Sequence, residues 1–283
     1  MKYYLILKGF EGKFEAIGIN KKIFLFLLRN VNSSLSSNHF GSLPTKNILF
    51  IYLIYIRYYL HDELISIIFK ISRTYWIRIK KELTEILYCK LHEFVTIGTF
   101  NERLKESMTF LQTTVTLIVD GFERQVMVPQ DRKVEPHLFS SKKKQHSMNT
   151  IIGISPISKR FRFVSFPFGG STNDYNLMKE TMHHMTNDLQ PQEFIIGDEG
   201  FHGLSNSRII TINNSKCDKN IRLSFNRIRV KVENAIRKIK EWSIASSRYR
   251  GKIATIAELQ KARSDHHKFS IIVCAIENLK LDI

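Results

Sequence analysis

A chain of 283 residues with 43% apolar content is long enough to bury a sizeable core, which excludes a peptide-sized module. Its 43 Lys and Arg against 26 Asp and Glu leave a formal net charge of +17, which points to polyanionic partners without choosing between nucleic acid and an anionic membrane surface. The three cysteines, Cys89, Cys217 and Cys274, are far apart and form no CxxC pair, which argues against a disulfide framework and a thiolate zinc site and for a reducing compartment.

Residues 1–40 carry little readable signal. The start MKYYLILKGF has a short apolar run between Lys2 and Lys8, but Glu11 and Lys13 follow without a small-residue cleavage site, so no secretory signal is expected. The most apolar stretch, 47–56, is flanked by Lys46 and Arg57 and falls short of the roughly 20 residues a bilayer crossing needs, so no membrane association is expected.

From Ile48 to Leu91 apolar residues recur at helical spacing, and a small all-α domain is expected over 41–95. Asp62 is placed as the cap of a helix starting at Glu63, and Ser72 as the cap of a second helix from Arg73 to about Tyr88. With only Lys70 and Ile71 between them, the pair reads as a helix-turn-helix. Its second helix would present Arg73, Thr74, Tyr75 and Arg78 from its first turns, where a recognition helix reaches bases and phosphates. The same spacing also suits plain helix packing. The more polar stretch 96–112 reads as a linker.

From Thr113 onward β-branched runs alternate with helical stretches, the pattern of a mixed α/β domain over 113–279. The run Thr114 to Val119 predicts a strand buried on both faces and stopped by Asp120-Gly121. Two more strands are expected at 146–155 and 161–166. After the Gly169-Gly170-Ser171 break, Ser171 or Asn173 would cap a helix over 175–185, and 193–196 reads as a strand ending at Gly197-Asp198. Phe225, Ile228, Val232, Ala235, Ile239 and Trp242 then mark an amphipathic helix. Between Arg222 and Lys252 there are ten Lys or Arg against two acids. His183-His184 and His266-His267 have no Cys or regularly spaced partners and read as surface pairs rather than a zinc site.

Three acids sit at the end or on the face of an element: Asp120, Asp174 and Glu233. Converging carboxylates would supply the hard oxygen donors that Mg²⁺ or Mn²⁺ prefer, and two such ions can drive in-line attack on a phosphodiester. Spacing alone leaves a second reading open, in which Asp120 marks an ordinary turn, Asp174 an ordinary helix start and Glu233 a partner of Arg229 and Arg237.

The stretches VDGFERQVMVP (119–129), FSSKKKQHSMNTIIGIS (139–155), FPFGGSTNDYNLMKE (166–180), GDEGFHGL (197–204) and RIRVKVENAIRKIKEW (227–242), followed by SSRYRG (246–251), occur in this order. Together they resemble the DDE transposase superfamily, in particular its insertion-sequence and PIF/Harbinger-like endonucleases. The resemblance implies an RNase H-like fold, a mixed sheet flanked by helices, preceded by a helix-turn-helix. It also implies a DNA endonuclease and strand transferase that uses two divalent metal ions, Mg²⁺ or Mn²⁺.

Residue by residue, the family's catalytic and metal-binding acids fall on Asp120, Asp174 and Glu233, with Asp198 as a supporting acid and the fallback third ligand. Lys142, Lys143 and Lys144 are expected at DNA phosphates, as are Arg227, Arg229, Arg237 and Lys240. The implied partners are the terminal repeats of a mobile element and its target DNA, with a homodimer as the implied assembly. The implied compartment is the nucleus in a eukaryote and the cytoplasm otherwise. Two alternatives stand beside this reading: a catalytically inactive, transposase-derived DNA-binding protein, and a basic ribonuclease, for which no RNP-like aromatic motif or KH loop is present.

Overall fold

The computed structural model describes residues 14–34, 43–202, 208–212 and 217–283. Four helices come first: α1 (Lys21–Asn32), α2 (Thr45–Tyr58), α3 (Asp62–Phe69) and α4 (Arg73–Leu91). Helix α1 lies in the stretch without readable signal. Asn20 caps it by accepting from the Ile23 amide at 2.9 Å, and it buries Ile23, Phe24, Leu27 and Val31 at helical spacing.

Asp62 does not cap α3, which starts one residue earlier than expected, after His61. Its carboxylate instead accepts from Trp76 Nε1 at 2.8 Å and Lys80 Nζ at 2.7 Å, so it ties α3 to α4. Ser72 caps α4 as expected, accepting from the Tyr75 amide at 3.2 Å. Lys70 takes the left-handed conformation (φ 53°) in the joint.

The stretch read as a linker is structured. It holds α5 (Phe100–Lys105), opened by a reciprocal Thr99–Glu102 capping box, and β1 (Met108–Phe110). From α5 the buried Arg103 makes a two-pronged ion pair with Glu193, at 2.7 Å (Nε–Oε2) and 2.6 Å (Nη2–Oε1), and also donates to the carbonyls of Gly98 and Asp188. Four of its five N–H donors are so used, and removing one partner of such a buried pair costs about 3–5 kcal/mol.

The sheet is mixed and has eight strands among the described residues. At its centre β2 (Thr113–Gln125) pairs with β1 and with β4 (Gln145–Ile154) in antiparallel fashion, and with β7 (Glu193–Ile196) in parallel. After the short helix α6 (Glu135–Leu138), strands β3 (Phe139–Ser140), β5 (Phe161–Val164) and β6 (Phe168–Gly169) pair with β4, and β8 (Ile209–Ile210) pairs with β7. Asp120-Gly121 does not end β2. Pairing continues from Ile118↔Ile154 to Gln125↔Ser147, so ladder bonds carry the strand through a dipeptide that by itself favours a turn.

Strand β2 is buried on both faces, as its unbroken apolar run implies. Leu117 and Val119 pack with Leu177, Met178 and Met185 of α7 (Asp174–Thr186), while Ile118 and Phe122 join the cluster of α8 (Lys219–Lys240) and α10 (Ile256–Asp282). Asn173 caps α7 by accepting from the Asn176 amide at 2.8 Å. Helix α10 escaped the sequence reading because Phe269 to Leu279 are buried all round, which erases the amphipathic period. One buried cluster runs from Phe14 through the N-terminal helices to Leu279. His266 is part of this interior and fully buried, stacked on Phe122 at 6.0 Å, so it is not a surface residue; His183 and His184 are exposed. Among the described residues no helix is long and apolar enough to cross a membrane.

Candidate active site

Beyond Val119 the alternation of β2 sends Gly121 and Glu123 to one face and Phe122 and Arg124 to the other. On the first face lies a cavity of about 350 Å³, lined by Gly121, Glu123, Lys142, Lys143, Asp174 and Asp198 among others; Asp120 lines it too, although strict alternation would set it with Phe122. Three segments meet there. Asp120 comes from β2, Asp174 from the first residue of α7, and Asp198 from the residue before the short helical turn Glu199–Phe201.

Asp174 packs closely against Gly200 and lies within ordinary reach of Gly121. A β-carbon built on Gly121 would lie 4.0 Å from Asp174 Oδ1, and one on Gly200 only 3.0 Å from Oδ2. Gly200 therefore permits a close approach that a side chain would obstruct. The carboxylates of Asp120 and Asp198 each accept from the next backbone amide, Gly121 N at 2.8 Å and Glu199 N at 2.7 Å.

Cations stand against these acids. Lys142 Nζ lies 3.2 Å from Asp174 Oδ2, and Lys143 pairs with Glu123. From α8, Arg229 reaches Asp198 Oδ1 at 3.1 Å and Glu233 Oε1 at 3.5 Å. Burial pushes the Asp120 carboxyl up to about 6; the Gly121 amide and Arg229 counteract this, and the negative charges of Asp198 and Glu233 add to it. The Lys142 ammonium is raised by its bond to Asp174 and by the charge of that carboxylate.

Thus Asp120, Asp174 and Asp198 share one cavity. Glu233 does not line it; half exposed on α8, it joins the group through Arg229 and through its field at Asp120. Among the described residues no three His, Cys, Asp or Glu groups are gathered tightly enough to form a metal-binding cluster by themselves. The donor chemistry nevertheless fits a hard divalent cation. Mg²⁺ is commonly held by one or two carboxylates together with waters and substrate phosphates, and Asp120 and Asp174 offer two carboxylates in an acid-rich cavity.

On α8, Arg229, Glu233, Arg237 and Lys240 fall on one stripe at steps of four, four and three, leading away from Asp198. Arg227 is off this stripe and lines a separate groove with Leu111 and Asn220. Arg73 and Arg78 are exposed at the start of α4, where Arg73 pairs with Glu63 at 2.9 Å and Arg78 lies over the Tyr75 ring at 5.5 Å. Lys144, exposed, takes a left-handed conformation (φ 50°) at the end of the lysine turn.

The acid that sequence reasoning missed is Glu123. Alternation counted from Asp120 would have put Glu123, three residues on, on the opposite face, so the strand period offered no signal for it; its place on the cavity wall beside Gly121 is seen only in the structure. Residues 119–278 match the family model described as DDE superfamily endonuclease. No curated protein and no solved structure matched the chain.

Proposed function

Because the chain belongs to the DDE superfamily of endonucleases, we propose that it is a transposase-type nuclease and strand transferase cutting DNA phosphodiesters at the cavity of Asp120, Asp174 and Asp198. The observation that carries this reading is the common cavity that Asp120, Asp174 and Asp198 line from three distant segments, with Asp174 packed against Gly200.

In this reading Asp120 and Asp174 hold the divalent cation, with Glu233 as the third acid of the family pattern and Asp198 as its supporting or substitute ligand. Mg²⁺ or Mn²⁺, when bound, supplies Lewis-acid polarisation of the phosphate and activation of the attacking water or 3′-hydroxyl. The protein's own residues bind and orient the DNA. Lys142 meets a phosphate at the cavity mouth, Lys144 at the exposed end of the lysine turn, and the stripe of Arg229, Arg237 and Lys240 continues the cationic track along α8. Arg229 keeps Asp198 and Glu233 in place and tempers their mutual repulsion. Arg73 and Arg78 are the DNA contacts proposed for the N-terminal helices, which would read the element's terminal repeats.

A second reading, a DNA-binding protein without cleavage, draws on the Lys142–Asp174 and Arg229–Asp198 pairs, which satisfy these acids without any other cation. One assay separates the two. Incubated with Mg²⁺ or Mn²⁺, the protein is expected to nick DNA carrying its terminal repeats, and Asp120→Asn and Asp174→Asn are each expected to abolish nicking while leaving salt-sensitive binding. Binding without metal-dependent nicking in the unmodified protein would leave the second reading standing.

A further inference from the structure

Glu123 lies at the crossing of the segments that carry the cavity's charges. Its side chain is 9% exposed, and its two oxygens have different partners: one accepts from the Ser147 hydroxyl on β4, the other pairs with the Lys143 ammonium. Ser147 is fully buried, and its carbonyl accepts from the Gly170 amide at 2.8 Å. A β-carbon on Gly170 would lie 2.3 Å from Ser147 Oγ and 2.6 Å from the Leu138 carbonyl oxygen, so the loop entering α7 is seated directly on Ser147. That loop ends at Asp174, which receives Lys142, the neighbour of Lys143.

These contacts close a ring from Glu123 to Ser147, Gly170, Asp174, Lys142, Lys143 and back to Glu123. Within it, the lysine turn and the Asp174 loop are both referred to one carboxylate on the strand that bears Asp120. Neutralising Lys143 also divides the lysine run: Lys143 is bound to the wall, while Lys142, with its side chain 77% exposed, faces Asp174.

We propose that Glu123 is a positioning residue of the nuclease reaction, which clamps Lys143 and thereby sets Lys142 and the Asp174 loop in register with Asp120. This rests on the nuclease reading above, and its consequence has opposite signs in two measurements. Glu123→Gln keeps the shape and an acceptor for Ser147 but frees Lys143. The freed ammonium adds a cation beside the cavity, so binding to a fluorescein-labelled random-sequence duplex is expected to tighten at low salt, with a salt dependence steeper by about 0.9 in log–log slope. Metal-dependent cleavage is expected to fall about 10–100-fold, in kcat rather than KM, the usual cost of losing a partner that orients ligands. A carboxylate that merely stabilised the fold would, when lost, weaken binding and cleavage together.

Lys143→Met tests the other end and, being half exposed, is tolerated by the fold. It is expected to lose cleavage to the same extent without tighter binding, and the double variant is expected to be no worse than either single one. Weaker binding together with weaker cleavage in Glu123→Gln overturns the proposal, as does full cleavage in Lys143→Met. If the unmodified protein cuts no DNA, the nuclease reading fails by itself. The slope still decides the clamp: an unchanged slope in Glu123→Gln shows that Lys143 was never held.

Discussion

Glu123 and Arg124 are neighbours on β2 and face opposite sides of the sheet. Glu123 looks into the cavity, where its charge is met by Lys143, whose side chain is 50% exposed. Arg124 looks toward the helices, fully buried, with its guanidinium over the rings of Tyr59 at 5.3 Å and Tyr249 at 5.4 Å. Its Nε donates to the Ser247 carbonyl at 3.0 Å, but its two terminal nitrogens make no hydrogen bond among the described residues. On the cavity face, Glu123 and Asp174 are each paired with a lysine that reaches solvent, so a phosphate or a metal ion can exchange with that partner without stranding a bare charge in the interior. On the helix face no such exchange is open. The aromatic cage that holds Arg124 joins α2 to the segment after α9 (Ser243–Ser246), where Arg250 also stacks on Tyr59 at 3.8 Å. One strand therefore carries an exchangeable electrostatic surface and a fixed structural joint, back to back.

The sharpest way to break this contrast is Asp120→Asn. Cleavage is expected to fall by about a thousandfold or more, the scale of losing a group that acts directly on the reacting phosphate. Thermal stability, measured by calorimetry at neutral pH in EDTA, is expected to stay level or rise. The sign follows from the carboxyl being pushed up to about 6: a raised carboxyl binds its proton more tightly in the folded state, so its charge at neutral pH opposes folding. A melting temperature lower by several degrees would make Asp120 a structural residue and erase the distinction between the faces.

Arg124→Ala tests the other face. It removes the packing of a long buried side chain and leaves a cavity between two tyrosines, an expected cost of about 3 kcal/mol in urea-induced unfolding. Unfolding within about 0.5 kcal/mol of the unmodified protein, the range of ordinary surface changes, would show that the cage is not a joint.

The two faces were not equally legible in the sequence. Asp120, Asp174 and Asp198 could be singled out because their residue types carry chemistry and the resemblance named the same positions, although Asp120 lies inside β2 and not at its end as expected. The continuation of β2 past Gly121 could not, since the ladder to β4 overrides a dipeptide that locally favours a turn. Without that continuation neither the aim of Glu123 nor that of Arg124 could be derived. The cage depends on partners 65 and 125 residues away in sequence, Tyr59 and Tyr249, which no local period connects. Helix α10 hid for the opposite reason: burial on every side leaves no stripe to detect. Asp62 shows a third cause, a good capping residue recruited by tertiary partners, Trp76 and Lys80.

Acid sharpens the comparison further, because the faces titrate in opposite senses. On the helix face, burial and, after it, the nearby charge of Arg124 hold His266 well below its ordinary value, and neither ring nitrogen has a hydrogen-bond partner among the described residues. A depressed histidine leaves the unfolded chain binding more protons below about 6.5, so this group costs stability as pH falls through that value. Asp120 works the other way, adding stability as pH falls from about 6. Melting curves at pH 7.5, 6.5 and 5.5 (about one unit per step, bracketing the ordinary histidine value) are therefore expected to show a steeper loss in Asp120→Asn than in the unmodified protein. In His266→Leu the loss is expected to shrink. An identical slope in all three proteins would mean that neither group governs stability in this range.

The smallest effect is expected at Lys142, and it separates binding from folding most cleanly. Its side chain is 77% exposed and its pair with Asp174 is open to solvent. Such pairs contribute about 0–1 kcal/mol, so Lys142→Gln is expected to leave the melting temperature nearly unchanged. On the proposed function, its place at the cavity mouth makes it one of the cations that pass to a phosphate. The log–log salt dependence of duplex binding is therefore expected to flatten by about 0.9, the amount assigned to one lost phosphate contact. The direction matters more than the size, because Glu123→Gln is expected to move the same slope the other way. If Lys142→Gln left the slope unchanged, the ammonium would stay with Asp174 when DNA binds, and the cavity face would be as fixed as the cage behind it.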